Sequence, residues 1–337
     1  MNGKVLIIYT GGTVGMFRTE RGYAPQKEAF HRLLDSMPEL RSPAMPEWDI
    51  LDMDPLLDSS DITVREWNLI GSVIAENYSR YSGFVVLHGT DTMAYTASAL
   101  SFMLEGLNKC VVLTGSQIPL CELRNDARDN LITALLIAAQ GKAREVCLYF
   151  GGKLLRGNRS MKYSADGLIA FASPGFPPLA EAGIEIRYND KALLAQTGES
   201  FRFQPLENVP IGVIKVFPGI QFELFDSFMS EKLKGIVVET FGAGNIPGRG
   251  ETLLPVLRRA ELNGTVMIVC SQCPQGTVSL GTYETSTPLK KAGAVSGYDM
   301  TTEAAVAKLY YLFSKGYDRE TVKKLTETNL RGELTSR

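Results

Sequence analysis

Two short loops carry the side chains that could do chemistry. The first reads Tyr9-Thr10-Gly11-Gly12-Thr13-Val14-Gly15 and ends an apolar run. Its glycines let the backbone turn sharply and approach a ligand, while Thr10 and Thr13 bring hydroxyls to the end of that run. Three readings stand side by side: a phosphate-binding loop, a purely structural turn, or a loop that presents a nucleophile. A dinucleotide fingerprint needs G-x-G-x-x-G opening a helix, a P-loop needs a Gly-Lys-Ser/Thr ending, and this segment has neither. The second loop, His88-Gly89-Thr90-Asp91-Thr92, runs into an alanine-rich stretch. Its simplest reading is that Thr90 or Asp91 caps a helix, since both residue types accept hydrogen bonds from free backbone N–H groups. If both loops end neighbouring parallel strands, two hydroxyls and a carboxylate meet around one ligand.

Other candidates read more blandly on their own. His88 invites a histidine-base mechanism, but the only other histidine, His31, lies in an ordinary helical stretch, and no nucleophile elbow is visible. His88 reads as a satisfied strand-end histidine. Cys270 and Cys273 have a spacing that suits a metal or a redox couple, yet a structural zinc wants four ligands and no second close pair exists. Five cysteines, an odd number, point to reduced thiols rather than a disulfide framework. No metal and no cofactor is expected. Lys162 in RGNRSMKYSAD reads as a solvated loop lysine, Asp58-Ser59-Ser60-Asp61 as a polar turn or helix cap, and Tyr23 as a loop anchor. Gly15 and Gly22 bracket the Tyr23 segment as hinges of a flexible lid in the competing reading.

The elements that must hold these residues alternate. Strand-like runs at Lys4 to Tyr9, Gly83 to Leu87, Cys110 to Thr114 and Val146 to Phe150 are rich in β-branched and apolar residues. Helix-like stretches at Val64 to Tyr78, Thr92 to Leu107 and Asn130 to Gln140 separate them. Such alternation implies an α/β protein with a larger N-terminal doubly wound, mostly parallel sheet domain. A polar stretch over 188–208 reads as a linker between domains at 1–187 and 209–337. Beyond it, strands at Ile211 to Phe217, Gly235 to Thr240 and Thr265 to Cys270 alternate with helices at Gln221 to Ser230 and Glu251 to Leu262. Helices at Thr302 to Ser314 and Asp318 to Thr328 complete a smaller C-terminal α/β domain.

At 337 residues, with 45% hydrophobic and 21% charged residues, the chain has the composition of an ordinary folded protein with two cores. A formal charge of -2 argues against a nucleic-acid surface, which needs clustered Lys and Arg. No stretch approaches the roughly 20 apolar residues that span a bilayer, and the N-terminus lacks the apolar core of a signal peptide. A cytoplasmic protein without nucleic-acid or membrane partners is expected.

The run YTGGTVGM followed by VLHGTDTMAYTASALSFML resembles the two signature segments of the bacterial-type L-asparaginase family, including its cytosolic type I branch. Further similar segments are DSSD at 58–61, TGSQIPL at 114–120, RGNRSMK at 156–162, FGAGN at 241–245 and NLRGELT at 329–335. The resemblance implies hydrolysis of L-asparagine to aspartate and ammonia through a threonine acyl-enzyme. It makes Thr13 the nucleophile, Thr90 and Lys162 with Asp91 the proton-handling group, and Tyr23 an assisting side chain on a lid. A basic Lys162 requires a neutral amine, favoured by burial or by nearby cations. Asp58, Ser59, Ser60, Thr90 and Asp91 would receive the carboxylate and ammonium of the substrate. Asn245 would enter the site of a neighbouring subunit in a homodimer or homotetramer whose sites lie near the interface. One departure concerns regulation: Glu239 stands where some type I members use an arginine to bind activating asparagine, and Met161 replaces a threonine beside Lys162. A carboxylate cannot replace a guanidinium in that contact, so the resemblance does not carry activation by asparagine over to this chain, and a different effector arrangement stays open.

Overall fold

A computed structural model describes residues 3–20, 22–196, 198–225, 232–247, 253–281 and 286–335. The chain divides into two compact units, Met1–Pro205 and Leu206–Arg337. In the first unit, β1 (Val5–Gly11) leads into a hairpin of β2 (Met16–Thr19) and β3 (Gly22–Pro25), then α1 (Lys27–Ser36), β4 (Trp48–Leu57) and α2 (Val64–Asn77). There follow β5 (Gly83–Leu87), α3 (Met93–Met103), β6 (Leu104–Glu105), β7 (Cys110–Thr114), α4 (Ala127–Gln140), β8 (Val146–Phe150) and β9 (Lys153–Arg156). Short strands β10 (Met161–Lys162), β11 (Phe171–Ala172), β12 (Ala180–Ala182), β13 (Ile186–Tyr188) and β14 (Arg202–Phe203) complete it.

The main sheet has the order β13-β12-β9-β8-β7-β5-β1-β4. Every residue of β1, β5, β7 and β8 is buried, as expected of central strands covered on both faces. Val5, Ile7, Tyr9, Val85 and Leu87 pack with Phe30 and Leu34 of α1 and Leu131 and Leu135 of α4. The alternate residues Leu6, Ile8, Phe84 and Val86 point to the other face and are equally buried, so the sheet is doubly wound.

The sheet is more mixed than the expected mostly parallel one. The pairs β4–β1, β1–β5, β5–β7 and β7–β8 are parallel, whereas β8–β9, β9–β12 and β12–β13 are antiparallel. The reversal occurs at Gly151-Gly152, both at positive φ (56° and 81°), a two-residue turn whose twist suits a hairpin. The helix expected over Thr92 to Leu107 ends at Met103, and Leu104–Glu105 instead pairs with Arg202–Phe203 before Gly106 reverses the chain at φ 62°. Strand β4 extends the sheet beyond β1, and its half-exposed, alternating residues gave no continuous apolar run.

The second unit holds a parallel sheet of β15 (Ile211–Lys215), β16 (Gly235–Thr240), β17 (Val266–Ser271) and β18 (Val295–Ser296), in that order. Helices α5 (Leu253–Leu262), α6 (Thr287–Lys291), α7 (Thr302–Ser314) and α8 (Arg319–Thr326) accompany it. The helix expected at Gln221 to Ser230 is represented by one tight turn, Phe222–Phe225, and its remainder lies outside the described residues. Among the described residues no helix is long and apolar enough to cross a membrane.

The C-terminal segment is locked by a fully buried ion pair. Lys308 Nζ of α7 donates to Glu333 Oε1 at 2.5 Å and to the carbonyls of Thr326 and Thr328, while Glu333 accepts from the N–H groups of Leu330 and Arg331. Every donor of the ammonium is used, so removing its counter-charge strands a buried cation. Glu333→Gln should therefore destabilise the second unit by about 3 kcal/mol or more, measured by denaturant unfolding. A midpoint unchanged from wild type would show that the pair contributes nothing.

Candidate active site

Three loops converge at the C-terminal ends of β1, β4 and β5, and glycines allow their approach. A Cβ built on Gly11 would collide with the Leu57 backbone at the end of β4. One on Gly12, at φ 81°, would lie 2.5 Å from Gly89 N and 2.6 Å from Gly89 Cα. One on Gly89 would lie 2.5 Å from Ser59 Oγ. Such separations are impossible for real carbon atoms, so only glycine permits this contact. Hydroxyls fasten the same loops: Thr10 Oγ1 donates to Leu87 O at 2.9 Å and Thr92 Oγ1 to Ser59 O at 2.6 Å. The backbone immediately before Thr13 therefore touches the backbone immediately before Thr90.

Thr13 opens a single tight turn, Thr13–Gly15, and is half-buried. Thr90 is buried and Asp91 is exposed; neither caps the following helix, whose N-cap residue Thr92 makes no side-chain cap bond. Lys162 Nζ instead donates to Thr90 Oγ1 at 2.9 Å and to Asp91 Oδ1 at 2.5 Å. The lysine side chain is 22% exposed and lies against a carboxylate, short of the deep burial that would favour a neutral amine.

The segment before Lys162 explains how it arrives there. Gly157 lies against α3, where an added Cβ would sit 3.1 Å from Ala97 Cβ. Arg156 Nε pairs with Glu145 at 2.6 Å, both buried, and Arg156 donates to Ala192 O. Arg159, also buried, donates to Gly175 O, and both guanidiniums face the Phe176 ring at 4.4 and 5.2 Å. With its predecessors anchored, β10 pairs with β11 and presents Lys162 to the 88–92 loop.

Asp58 and Ser60 are exposed and Ser59 is buried. Asp58 Oδ1 accepts from both Ser60 N and Ser60 Oγ at 2.9 Å, so it caps the short turn Ser59–Asp61. Tyr23 lies on β3, 48% exposed, and its hydroxyl donates to Glu122 Oε1 at 2.5 Å. That hydrogen bond raises the phenol pKa above its ordinary value, with burial adding to the effect. Asn245 belongs to the second unit, where its backbone bridges to Phe241.

The loop that begins in the similar segment TGSQIPL, to which sequence reasoning gave no role, ties these parts together. After β7, Leu120 N donates to Val14 O at 3.1 Å, Glu122 receives Tyr23, and Thr90 Oγ1 donates to Gln117 Oε1 at 3.2 Å. The Asp126 carboxylate holds this loop by accepting from Gln117 N and Ile118 N. The available signal was positional, because β7 adjoins β5 and its C-terminal end must open on the same crevice.

Fold and site together define an α/β protein in which hydroxyls, one ammonium and carboxylates meet at the ends of parallel strands. Comparison with known proteins narrows that class. Residues 4–194 match the family model "Asparaginase, N-terminal" and residues 210–325 the "Glutaminase/Asparaginase C-terminal domain". The chain is 46% identical to L-asparaginase 1 of Escherichia coli K12 over 332 residues, 98% of each chain. It superposes on L-asparaginase I of Vibrio cholerae with a TM-score of 0.92 at 46% identity, covering 100% of both chains. The thermostable L-asparaginase of Thermococcus kodakarensis gives 0.90 at 33% identity, covering 99% of this chain and 100% of that one. The chain belongs to the asparaginase family.

His88, beside the site, is fully buried with Nδ1 2.7 Å from Gly89 O and Nε2 2.9 Å from Thr96 Oγ1. A carbonyl only accepts, so Nδ1 carries the proton. Trp67 Nε1 only donates and uses Thr96 Oγ1 as its acceptor at 3.1 Å, leaving the threonine proton for Nε2. Burial lowers the pKa from 6.5 to about 4. Between those values the unfolded chain binds a proton that the folded chain refuses. The stabilisation is complete above about pH 6.5 and lost as pH falls toward 4, about 3 kcal/mol in all. In His31→Gln protein, whose one remaining imidazole is His88, nitrogen-15 NMR should show the Nδ1–H tautomer unprotonated down to pH 5. A midpoint near 6.5 would refute this arrangement.

Proposed function

We propose that the chain hydrolyses L-asparagine to L-aspartate and ammonia through an acyl-enzyme on Thr13. The observation that carries this reading is the Thr90–Lys162–Asp91 chain beside the Thr13 loop, in a member of the asparaginase family. Relatives named L-asparaginase across nearly the whole chain support the choice of substrate.

In this reading Thr13 Oγ1 attacks the side-chain carboxamide carbon, and its proton passes to the Thr90–Lys162 group. The C–N bond breaks, a proton returns to the departing nitrogen, and ammonia leaves an ester on Thr13. Water then attacks that ester, releasing aspartate and restoring the hydroxyl. Dividing the reaction this way replaces one difficult step by two easier ones. Lys162 rests as a donor to Asp91, so its work as a base begins only when it gives up a proton. An incoming α-ammonium sharing Asp91 weakens the attraction that holds that proton in place. Ser59, Ser60 and Asp58 receive the rest of the amino-acid head group. Tyr23, whose one phenolic proton is donated to Glu122, assists at the nucleophile loop only after that contact is released. We place the enzyme in the cytoplasm as a homodimer or homotetramer, with Asn245 reaching a neighbouring subunit's site. With Glu239 in place of an arginine, asparagine is a substrate here and not an activator.

Purified protein should release ammonia from asparagine along a hyperbolic saturation curve; a sigmoidal curve would overturn the reading of Glu239. Thr13→Ala should lower kcat at least about 10³-fold and Lys162→Met about 10²- to 10⁴-fold, both with unchanged thermal unfolding. Turnover retained in Thr13→Ala would remove Thr13 from the nucleophile role. Parallel assays with glutamine measure selectivity, because one methylene in a pocket is worth only about 1–3 kcal/mol.

A further inference from the structure

The amide of Gln117 has its orientation dictated by what surrounds it. Its Nε2 lies 3.1 Å from Ala165 O and 3.3 Å from Gly167 O. Carbonyl oxygens only accept, so the end of the side chain facing them must be the NH2 group. The opposite end, Oε1, is thereby turned toward Thr90 Oγ1 at 3.2 Å. Rotation of the amide would set oxygen against two carbonyls, which forbids it. The backbone beneath is equally constrained, since the Asp126 carboxylate accepts from both Gln117 N and Ile118 N at 3.0–3.1 Å.

An acceptor at that place decides the direction of Thr90. A threonine hydroxyl has one proton and can donate once. Lys162 Nζ at 2.9 Å is a second neighbour of the same oxygen. With Gln117 Oε1 accepting, the hydroxyl proton points away from the lysine, and the oxygen lone pair receives the ammonium N–H. The three groups form a polarised chain from Lys162 through Thr90 to Gln117. For Lys162 to take a proton by way of Thr90, the hydroxyl must turn from Gln117 toward the amine.

We infer that Gln117 is a positioning residue that sets the proton direction of Thr90 and so poises the Thr90–Lys162 pair between donating and accepting. The inference rests on the reading of Thr90 and Lys162 given under Proposed function. Without the acceptor, the hydroxyl is free to wander and the oxygen becomes a poorer acceptor for the ammonium, because hydrogen bonds in a chain polarise one another. With a stronger acceptor in its place, the ammonium form is held more firmly.

Two substitutions separate this role from simple loop bracing. Gln117→Leu removes both the acceptor and the two donations to the 165–167 loop, whereas Gln117→Glu keeps an acceptor for Thr90 and loses only the donations. Gln117→Leu should lower kcat for asparagine about tenfold or more, with KM within about twofold of wild type. Gln117→Glu should recover most of that loss at its own optimum. The acidic limb of the kcat–pH profile should move to lower pH in Gln117→Leu and to higher pH in Gln117→Glu. In a Thr90→Val background, where no hydroxyl remains to be oriented, Gln117→Leu should add no further loss.

Equal losses in the leucine and glutamate variants would overturn the inference in favour of a bracing role. So would an unmoved pH profile, or a full additive loss in the Thr90→Val background. Should Gln117→Leu fail to fold, the displacement of the acidic limb in Gln117→Glu still decides the matter. A wild-type protein that releases no ammonia would sink the proposed activity itself. An active wild type matched by Gln117→Leu would sink only the role of Gln117.

Discussion

The contact on which the site depends is the one between two backbones at Gly12 and Gly89. No side chain takes part, yet a single methyl group at either position would lie about as close to a neighbouring heavy atom as a short hydrogen bond allows, with nothing there to bond. The loops after β1 and β5 are therefore pressed together by the sheet beneath them, whose strands run in parallel register from Val5 with Gly83 to Tyr9 with Leu87. Gly89 passes the constraint on to Ser59, and Gly11 passes it to the end of β4. Small hydroxyl-bearing residues then become neighbours because the glycines beside them permit no other spacing. The arrangement of the site is a by-product of close packing at the strand ends.

What could be read from the residues follows from how completely each element is buried. The central strands β5, β7, β8 and β16 were legible to their end residues, since a run of apolar, largely β-branched residues between turn signals has few other uses. Strand β4 was not legible, because it is only partly buried along its length and its sequence interleaves Asp49, Asp52 and Asp54 with apolar residues. The antiparallel edge was signalled by Gly151-Gly152, a hairpin turn whose meaning depends on the strands at both sides. In the site, glycine and threonine in each loop suggested a crevice, but nothing in spacing could bring Lys162 across 72 residues to Thr90. Family resemblance supplied that pairing. Gln117, though inside the similar segment at 114–120, and Glu122 were given no role because the loop after β7 holds no conspicuous cluster of hydroxyls, although the topology puts it at the same crevice.

Glu239, which stands where the family resemblance led to the expectation of an arginine, has a local physical account. Its Oε1 accepts from Thr302 Oγ1 at 2.5 Å, in the first turn of α7, and Lys215 Nζ lies 3.9 Å from Oε2. A negative charge beside a helix N-terminus meets unpaired N–H groups and the positive end of the dipole, an arrangement a guanidinium would oppose. Burial raises the pKa of Glu303, one residue further along α7, with the charge of Glu239 adding to it. Glu239 therefore limits what the end of β16 can bind and, at the same time, makes it part of the framework around α7.

Two hydrogen-bond chains lie within a few residues of each other at the end of β5, and they differ in a way that bears on which one handles protons. The inner chain runs from Trp67 through Thr96 and His88 to the Gly89 carbonyl. It starts at a group that can only donate and ends at one that can only accept, and burial keeps its imidazole neutral. Every proton in it has one allowed place, so it can brace the 88–92 loop but cannot relay anything. The outer chain also ends at an acceptor, Gln117 Oε1, but it begins at Lys162, an amine whose proton count can change. Its middle member, Thr90, therefore has two permitted orientations where Thr96 has one. His88 read from the sequence as a satisfied strand-end histidine, and the polarity of its partners accounts for that static role while giving the adaptable one to threonine and lysine.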